Sequence, residues 1–177
     1  MLSQLDQELF QLINGRWTCG LMDRLSVAIN DPWWLWIPLG LLALWLWFKG
    51  GKANRRFIVV LIITVAATDL LCSHLLKPLL GRLRPSATLE GVRLLVGKKT
   101  GWSMPSNHAA NIAAAACLTG YYFRKLLFPA IIIALLVAYC RIYAGIHYPM
   151  DVFLGAVIGV FMAALGITLA EKIASKK

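Results

Sequence analysis

Two of the three histidines sit where an apolar segment begins, His108 in Met104-Pro105-Ser106-Asn107-His108 and His147 in His147-Tyr148-Pro149-Met150-Asp151. Imidazole can act near neutral pH as a nucleophile or as a general acid and base. Pro149 suits the first position of a helix, which makes Tyr148 its cap and Asp151 its third residue. From there a carboxylate reaches back, as in a capping box. Asp151 can thus hold the ring N–H of His147 and orient its other nitrogen for attack. Ser106 suits the N-cap of the Ala-rich helix that follows. The free N–H groups behind it, that of Asn107 included, form an anion site at the positive end of the helix dipole. His108 falls in the first turn, facing whatever binds there. His74 lies outside these patterns and reads as a helix-end or interface residue.

Around the histidines the charges do not balance. Asp69, Ser73 and Lys77 fall at i, i+4 and i+8 and make one polar stripe at the end of an apolar segment. Arg84 follows, and Arg141 lies inside another apolar segment, where a guanidinium needs a carboxylate or a phosphate. Asp69 and Asp151 cannot neutralise Lys77, Arg84 and Arg141 together. The deficit implies a bound polyanion, with Asp69 and Ser73 as supporting groups.

The elements that position these residues are membrane helices. Of 177 residues 59% are hydrophobic and 15% charged, outside the range of a soluble domain. At about 15 to 20 apolar residues per span, five spans are expected: Trp33 to Phe48, Phe57 to Leu76, Ala109 to Phe123, Leu127 to Ile146 and Val152 to Ala170. The third is short, which draws the Ser106–His108 end below the membrane surface. The first thirty residues repeat Leu5, Leu9, Leu12 and Ile13, then Leu21, Leu25, Ala28 and Ile29, at helical spacing. They read as two amphipathic helices in the interface, with a sixth, poorly hydrophobic span as the alternative. The fold class is therefore all-α: an integral-membrane bundle of five or six transmembrane helices with N-terminal amphipathic helices. Residues 1–177 form a single domain, with 1–30 as the interfacial or first-helix segment and 33–170 as the transmembrane core.

Asp6 and Glu8 stand early, and Gln4, Gln7 and Gln11 interrupt the N-terminus, so a cleaved signal peptide is not expected. The four cysteines form no C-x-x-C pair, so neither a disulfide framework nor a zinc site is suggested. A net charge of +10 raises nucleic acid as a partner, but no basic helix or aromatic-basic strand pattern supports it. Lys49, Lys52, Arg55 and Arg56, then Arg124 and Lys125, then Lys172, Lys176 and Lys177 share one side of the alternating loops. The positive-inside rule makes that side cytoplasmic and sets the histidines on the other.

The motifs together resemble those of the type 2 phosphatidic acid phosphatase (PAP2) superfamily. Lys77 and Arg84-Pro85 match K-x6-R-P, Pro105-Ser106-Asn107-His108 resembles P-S-G-H, and Arg141, His147 and Asp151 match R-x5-H-x3-D, in the family's order. Asn107 stands where the family usually has Gly, and Cys140 where it usually has Ser. The resemblance implies a metal-independent, cofactor-free lipid phosphatase. His147 would attack phosphorus and form a phosphohistidine, Asp151 would fix its tautomer, and His108 would protonate the leaving oxygen and then activate water. Lys77, Arg84, Arg141 and the amides near Ser106 and Asn107 would hold the phosphate. The implied partners are the bilayer and a phospholipid or polyprenyl phosphate. Undecaprenyl diphosphate is the leading substrate; lipid A 1-phosphate and phosphatidylglycerophosphate are the alternatives. The implied location is a bacterial inner (cytoplasmic) membrane, with the active site facing the periplasm or exterior. Vanadium haloperoxidases would share such a site but are soluble. A lipid-binding or transport protein would not need two histidines and an orienting carboxylate.

Overall fold

The computed structural model describes residues 2–30 and 33–176, and every regular element within them is helical. Helix α1 (Leu2–Gln11) runs on through a π-helical turn, Leu12–Arg16, and α2 is Gly20–Asn30. Helix α3 is Trp33–Lys49. Helix α4 (Gly51–Leu70) passes through a π-helical stretch, Leu71–Leu76, into the short α5 (Lys77–Leu80). Pro85–Thr88 forms the single turn α6, followed by α7 (Asn107–Tyr122), α8 (Leu127–Tyr143) and α9 (Pro149–Ser175).

By length and composition, Gly51–Thr88, Arg124–Tyr143 and Pro149–Ser175 can each cross a bilayer, and Ile37–Lys49 is a shorter apolar stretch. Helix α7, at 16 residues, is about 24 Å long at about 1.5 Å per residue, short of a hydrocarbon core of about 30 Å. The five expected segments fall on α3, α4 with the π-helical stretch after it, α7, α8 and α9, of which those of α4, α8 and α9 are long and apolar enough to cross. The fourth is shorter than expected, ending at Tyr143 rather than Ile146. Arg141 therefore lies in the last turn of α8 and not deep within a span. Helices α1 and α2 have 10 and 11 residues and are separated by the break at 17–19. Helix α1 with its π-helical turn covers residues 2–16, and neither it nor α2 is among the helices long and apolar enough to cross a bilayer, which weighs against the alternative sixth span.

Helices α7 and α9 pack most intimately, because glycines remove the side chains between them. A Cβ on Gly155 would meet the carbonyl of Ser106 at 2.5 Å, and one on Gly159 would meet that of Ala110 at 2.1 Å. The Ser106 N–H donates to the carbonyl of Asp151 over 2.9 Å, fixing the register of the two N-termini. Phe57, Ile58, Ala114, Leu118 and Ala163 pack at one end of the bundle. Phe10, Ala109, Ile142, Tyr148 and Val152 pack at the other. The chain order brings the end of α4, the start of α7, the end of α8 and the start of α9 to that second end.

The N-terminal helices are amphipathic in the reverse sense to a water-soluble pair. Leu5, Leu9, Leu21 and Val27 are exposed, whereas Asp6, Phe10, Asn14 and Ser26 are buried. A lipid solvent favours this arrangement, since apolar side chains cost nothing there and polar ones must find partners inside. Asn14 donates to the carbonyls of Arg93 and Tyr143, each at 2.8 Å, and accepts from the Arg93 N–H at 2.9 Å. Asp23 accepts from Arg93 and from the Tyr143 hydroxyl. The Arg93 hydrogen bond, the largest influence, holds the Asp23 carboxyl below its ordinary range. These contacts bind the N-terminal segment to the loop before α7 and to the end of α8.

Candidate active site

His147 lies in the turn between α8 and α9 and is only 4% exposed. That turn depends on Gly145, whose φ of +82° is in the left-handed region and whose missing Cβ leaves room for the Arg93 carbonyl. Tyr148, Pro149 and Asp151 occupy the cap, first and third positions of α9, as the sequence predicts, and Asp151 Oδ2 accepts the Tyr148 N–H at 2.9 Å. The same carboxylate faces His147 Nδ1 at 3.5 Å. His147 Nε2, on the far side of the ring, is 3.5 Å from Arg84 Nη1. Burial pushes the His147 ring down to about 4, against the pull of Asp151, so at neutral pH the imidazole is uncharged and its lone pair is available. A neutral imidazole with one nitrogen against a carboxylate and the other beside a guanidinium can attack an anionic electrophile.

Three cations lie near the two histidines, Arg84 and Lys77 by His147 and Arg141 and Lys77 by His108. Arg84 is buried and donates to the Ile146 carbonyl at 2.9 Å; its Nε has no partner. Arg141 is 1% exposed and donates to the Asn30 side-chain oxygen and, at 3.3 Å, to the Ile29 carbonyl; its Nε also has no partner. Lys77 is half-buried and within electrostatic range of Arg84. His108 is exposed in the first turn of α7, within electrostatic range of Arg141, His147 and Lys77. Among the described residues the ion pairs involve Arg82, Arg93 and His147, and none joins Lys77, Arg84 or Arg141 to a carboxylate. The charge deficit seen in the sequence persists in three dimensions. Among the same residues no three His, Cys, Asp or Glu side chains form a group that could hold a metal ion.

Ser106 occupies the N-cap of α7, but its side chain caps nothing: the hydroxyl is buried without a partner. Asn107 turns its side-chain amide to protein partners. Its Nδ2 donates to Asp69 Oδ1 at 2.8 Å and to Ser73 Oγ at 2.6 Å, and Asn111 reaches the same Asp69 oxygen at 2.9 Å. The amide in place of glycine therefore ties α7 to α4, which leaves the Asn107 backbone N–H as its expected contribution. Asp69 and Ser73 are brought together as the polar stripe suggests, as anchors for the start of α7. Cys140 is fully buried in α8, and His74 is exposed on the π-helical stretch.

Four groups at the site lie outside the residues that the sequence motifs single out. Arg82 bonds Asp151 Oδ1 at 2.8 Å and Asp6, and its guanidinium lies 4.1 Å from the centre of the Tyr148 ring. Ser103, buried, donates to Asp151. Asp6 accepts the Met150 N–H at 2.8 Å, and Asn30 holds Arg141. The available signal was polarity in α1 and α2 opposite the leucine stripe, which in a lipid solvent marks the inward face.

The helical bundle and this cluster define a membrane-embedded member of a phosphate-handling family. Residues 55–174 match the family model described as the PAP2 superfamily, and the chain belongs to that superfamily. It is 30% identical to the lipid A 4'-phosphatase of Bacteroides thetaiotaomicron, over 99% of this chain and 81% of that protein. It is 33% identical to the undecaprenyl-diphosphatase of Sulfolobus acidocaldarius, over 92% of this chain and 77% of that one. A crystal structure of a transmembrane PAP2-type phosphatidylglycerolphosphate phosphatase from Bacillus subtilis superposes with a TM-score of 0.78 over 97% of this chain and 87% of that one. At 20% identity that likeness speaks for the fold alone. The chain is a membrane protein of the phosphatase family.

Proposed function

We propose that residues 1–177 form one catalytic unit that hydrolyses the phosphate or diphosphate monoester of a membrane lipid, with undecaprenyl diphosphate as substrate. The observation that carries this reading is the buried, neutral His147, backed by Asp151, with Arg84 and Lys77, which lack a carboxylate partner, on its other side. In the first step the Nε2 lone pair attacks phosphorus as the bond to the leaving oxygen breaks, and His108 gives that oxygen its proton. In the second, His108 takes a proton from water, whose oxygen attacks phosphorus as the P–N bond breaks, releasing inorganic phosphate. Lys77, Arg84, Arg141, the Ser106 hydroxyl and the Asn107 N–H stabilise the equatorial oxygens, where phosphoryl transfer gains most. The cations supply the positive charge that a divalent ion supplies elsewhere.

A second reading, a lipid A phosphatase, is favoured by the match over nearly the whole chain to the Bacteroides enzyme. Phosphate release by the purified protein, measured in EDTA on undecaprenyl diphosphate, lipid A and phosphatidylglycerophosphate, separates them. The undecaprenyl substrate should give the highest kcat/KM, and vanadate should inhibit. Loss of activity on chelation, restored by a divalent ion, would overturn the mechanism, and a preference for lipid A would overturn the substrate.

A further inference from the structure

The carboxylate that faces His147 is itself held from two directions that the PAP2 motifs do not include. A carboxylate offers about four lone-pair sites. On Asp151, Oδ2 takes the Ser103 hydroxyl and the Tyr148 N–H and faces His147 Nδ1. Its Oδ1 takes Arg82 at 2.8 Å. Arg82 spends its second terminal nitrogen on Asp6, and the other Asp6 oxygen accepts the Met150 N–H from the first turn of α9. Asp6 is 2% exposed and Asp151 fully buried, counting side chains, while Arg82 is 24% exposed. Two buried carboxylates thus share one guanidinium, which offsets part of their charge and is fixed in its plane by them. Asp6 also stabilises the start of α9 as an N-cap supplied by another helix. It lies outside the residues matched by the family model, 55–174.

We propose that Asp6 and Arg82 are positioning residues for the attack on phosphorus: Arg82 pins Oδ1 of Asp151 so that Oδ2 stays turned to His147, and Asp6 pins Arg82 and the first turn of α9. The N-terminal helix α1 is on this view a working part of the site. The proposal rests on His147 being the nucleophile.

The full-length protein in detergent, assayed with farnesyl diphosphate as the probe, tests it. Arg82→Met should lower kcat by about 10- to 100-fold, the scale expected for a displaced reacting group, with KM within about twofold of the unaltered protein. Arg82→Lys should recover much of the loss. Asp6→Asn keeps an acceptor for the Met150 N–H and loses the charge that holds Arg82, and should lower kcat about fivefold. The double variant should be no slower than Arg82→Met alone, because Asp6 acts through Arg82. Additive losses, a change confined to KM, or kcat preserved within twofold in Arg82→Met would overturn the proposal. If Arg82→Met gives no cooperative melt in detergent, Asp6→Asn decides by the same kcat criterion. His147→Ala separates the two readings: retained turnover would bring down the nucleophile assignment, whereas its loss alongside an unimpaired Arg82→Met would bring down the positioning role alone.

Discussion

At the residue scale, the two histidines differ in what surrounds them, and their proposed roles follow from that difference. His147 is buried with a carboxylate at 3.5 Å; His108 is exposed at the start of α7, with Arg141 and Lys77 in range. His147→Ala should abolish turnover and leave no label on the protein after exposure to radiolabelled substrate. His108→Ala should lower turnover by about 100-fold or more, the scale of a lost general acid and base. It should still trap label when the leaving group is good enough to depart without a proton. Label trapped on the His147→Ala protein would reverse the assignment. The environment of His147 also sets a pH dependence. Burial pushes its ring down to about 4, so the nucleophilic neutral form predominates above that pH and is lost as pH falls through it. Single-turnover phosphoenzyme formation, measured with a good leaving group, should be level from about pH 8 to pH 5 and drop below pH 4. A decline centred between pH 6 and 7 would mean an ordinary, solvated imidazole.

At the element scale, the site depends on how closely α7 approaches α9, since one carries His108 and the other follows His147. A Cβ at Gly159 would stand 2.1 Å from the Ala110 carbonyl, a backbone atom that cannot swing aside, whereas one at Gly40 would meet nothing within 4 Å. Gly159→Leu should therefore separate the helices, cost about 1 to 3 kcal/mol as overpacking does, lower the detergent melting temperature and reduce kcat. Gly40→Ala should leave both unchanged, and equal effects from the two would refute the close-packing account. The same scale decides what the sequence could reveal. The apolar helices were legible from run length, and the meeting of His147 with Asp151 and of Asp69 with Ser73 from local spacing, because a helical turn fixes which neighbours meet. The contacts of Asp6 with Arg82, and of Asn30 with Arg141, join residues far apart in the chain, and no local periodicity reports them. Helix α1 is amphipathic as its leucine spacing implies, but its apolar face turns outward, and its polar face carries the contact of Asp6 with Arg82. Asn107 was legible as a departure from the family glycine. Its bond to Asp69 became visible only once α4 and α7 were side by side.

At the scale of the whole molecule, the order of helices gathers every group of the proposed site at one end of the bundle and leaves a different set of charges at the other. Lys49, Lys52, Arg55, Arg56, Arg124, Lys125, Lys172 and Lys176 are all exposed at or near the ends of α3, α4, α7, α8 and α9 away from His147; Lys177, part of the same sequence cluster, lies outside the described residues. At the site end Arg82 and Arg93 pair with carboxylates, Arg84 sits beside the proposed nucleophile and Arg141 is held by Asn30; setting these aside leaves Lys98 and Lys99 among the exposed cations there, against the eight named at the opposite end. What remains is a basic end of the kind retained on the cytoplasmic side, so we expect the active site to open on the outer face of a bacterial cytoplasmic membrane. Helix α7, about 24 Å long, would draw His108 slightly below the headgroups, where a lipid can present its phosphate without leaving the bilayer. Substitution of Cys19, Cys72, Cys117 and Cys140 provides a background for single cysteines at exposed positions. In intact cells, a cysteine replacing exposed Lys98 should react with an impermeant thiol reagent, and one replacing exposed Lys52 should react only after the membrane is opened. The reverse pattern would turn the site to the cytoplasm and remove lipids of the outer leaflet as its substrates.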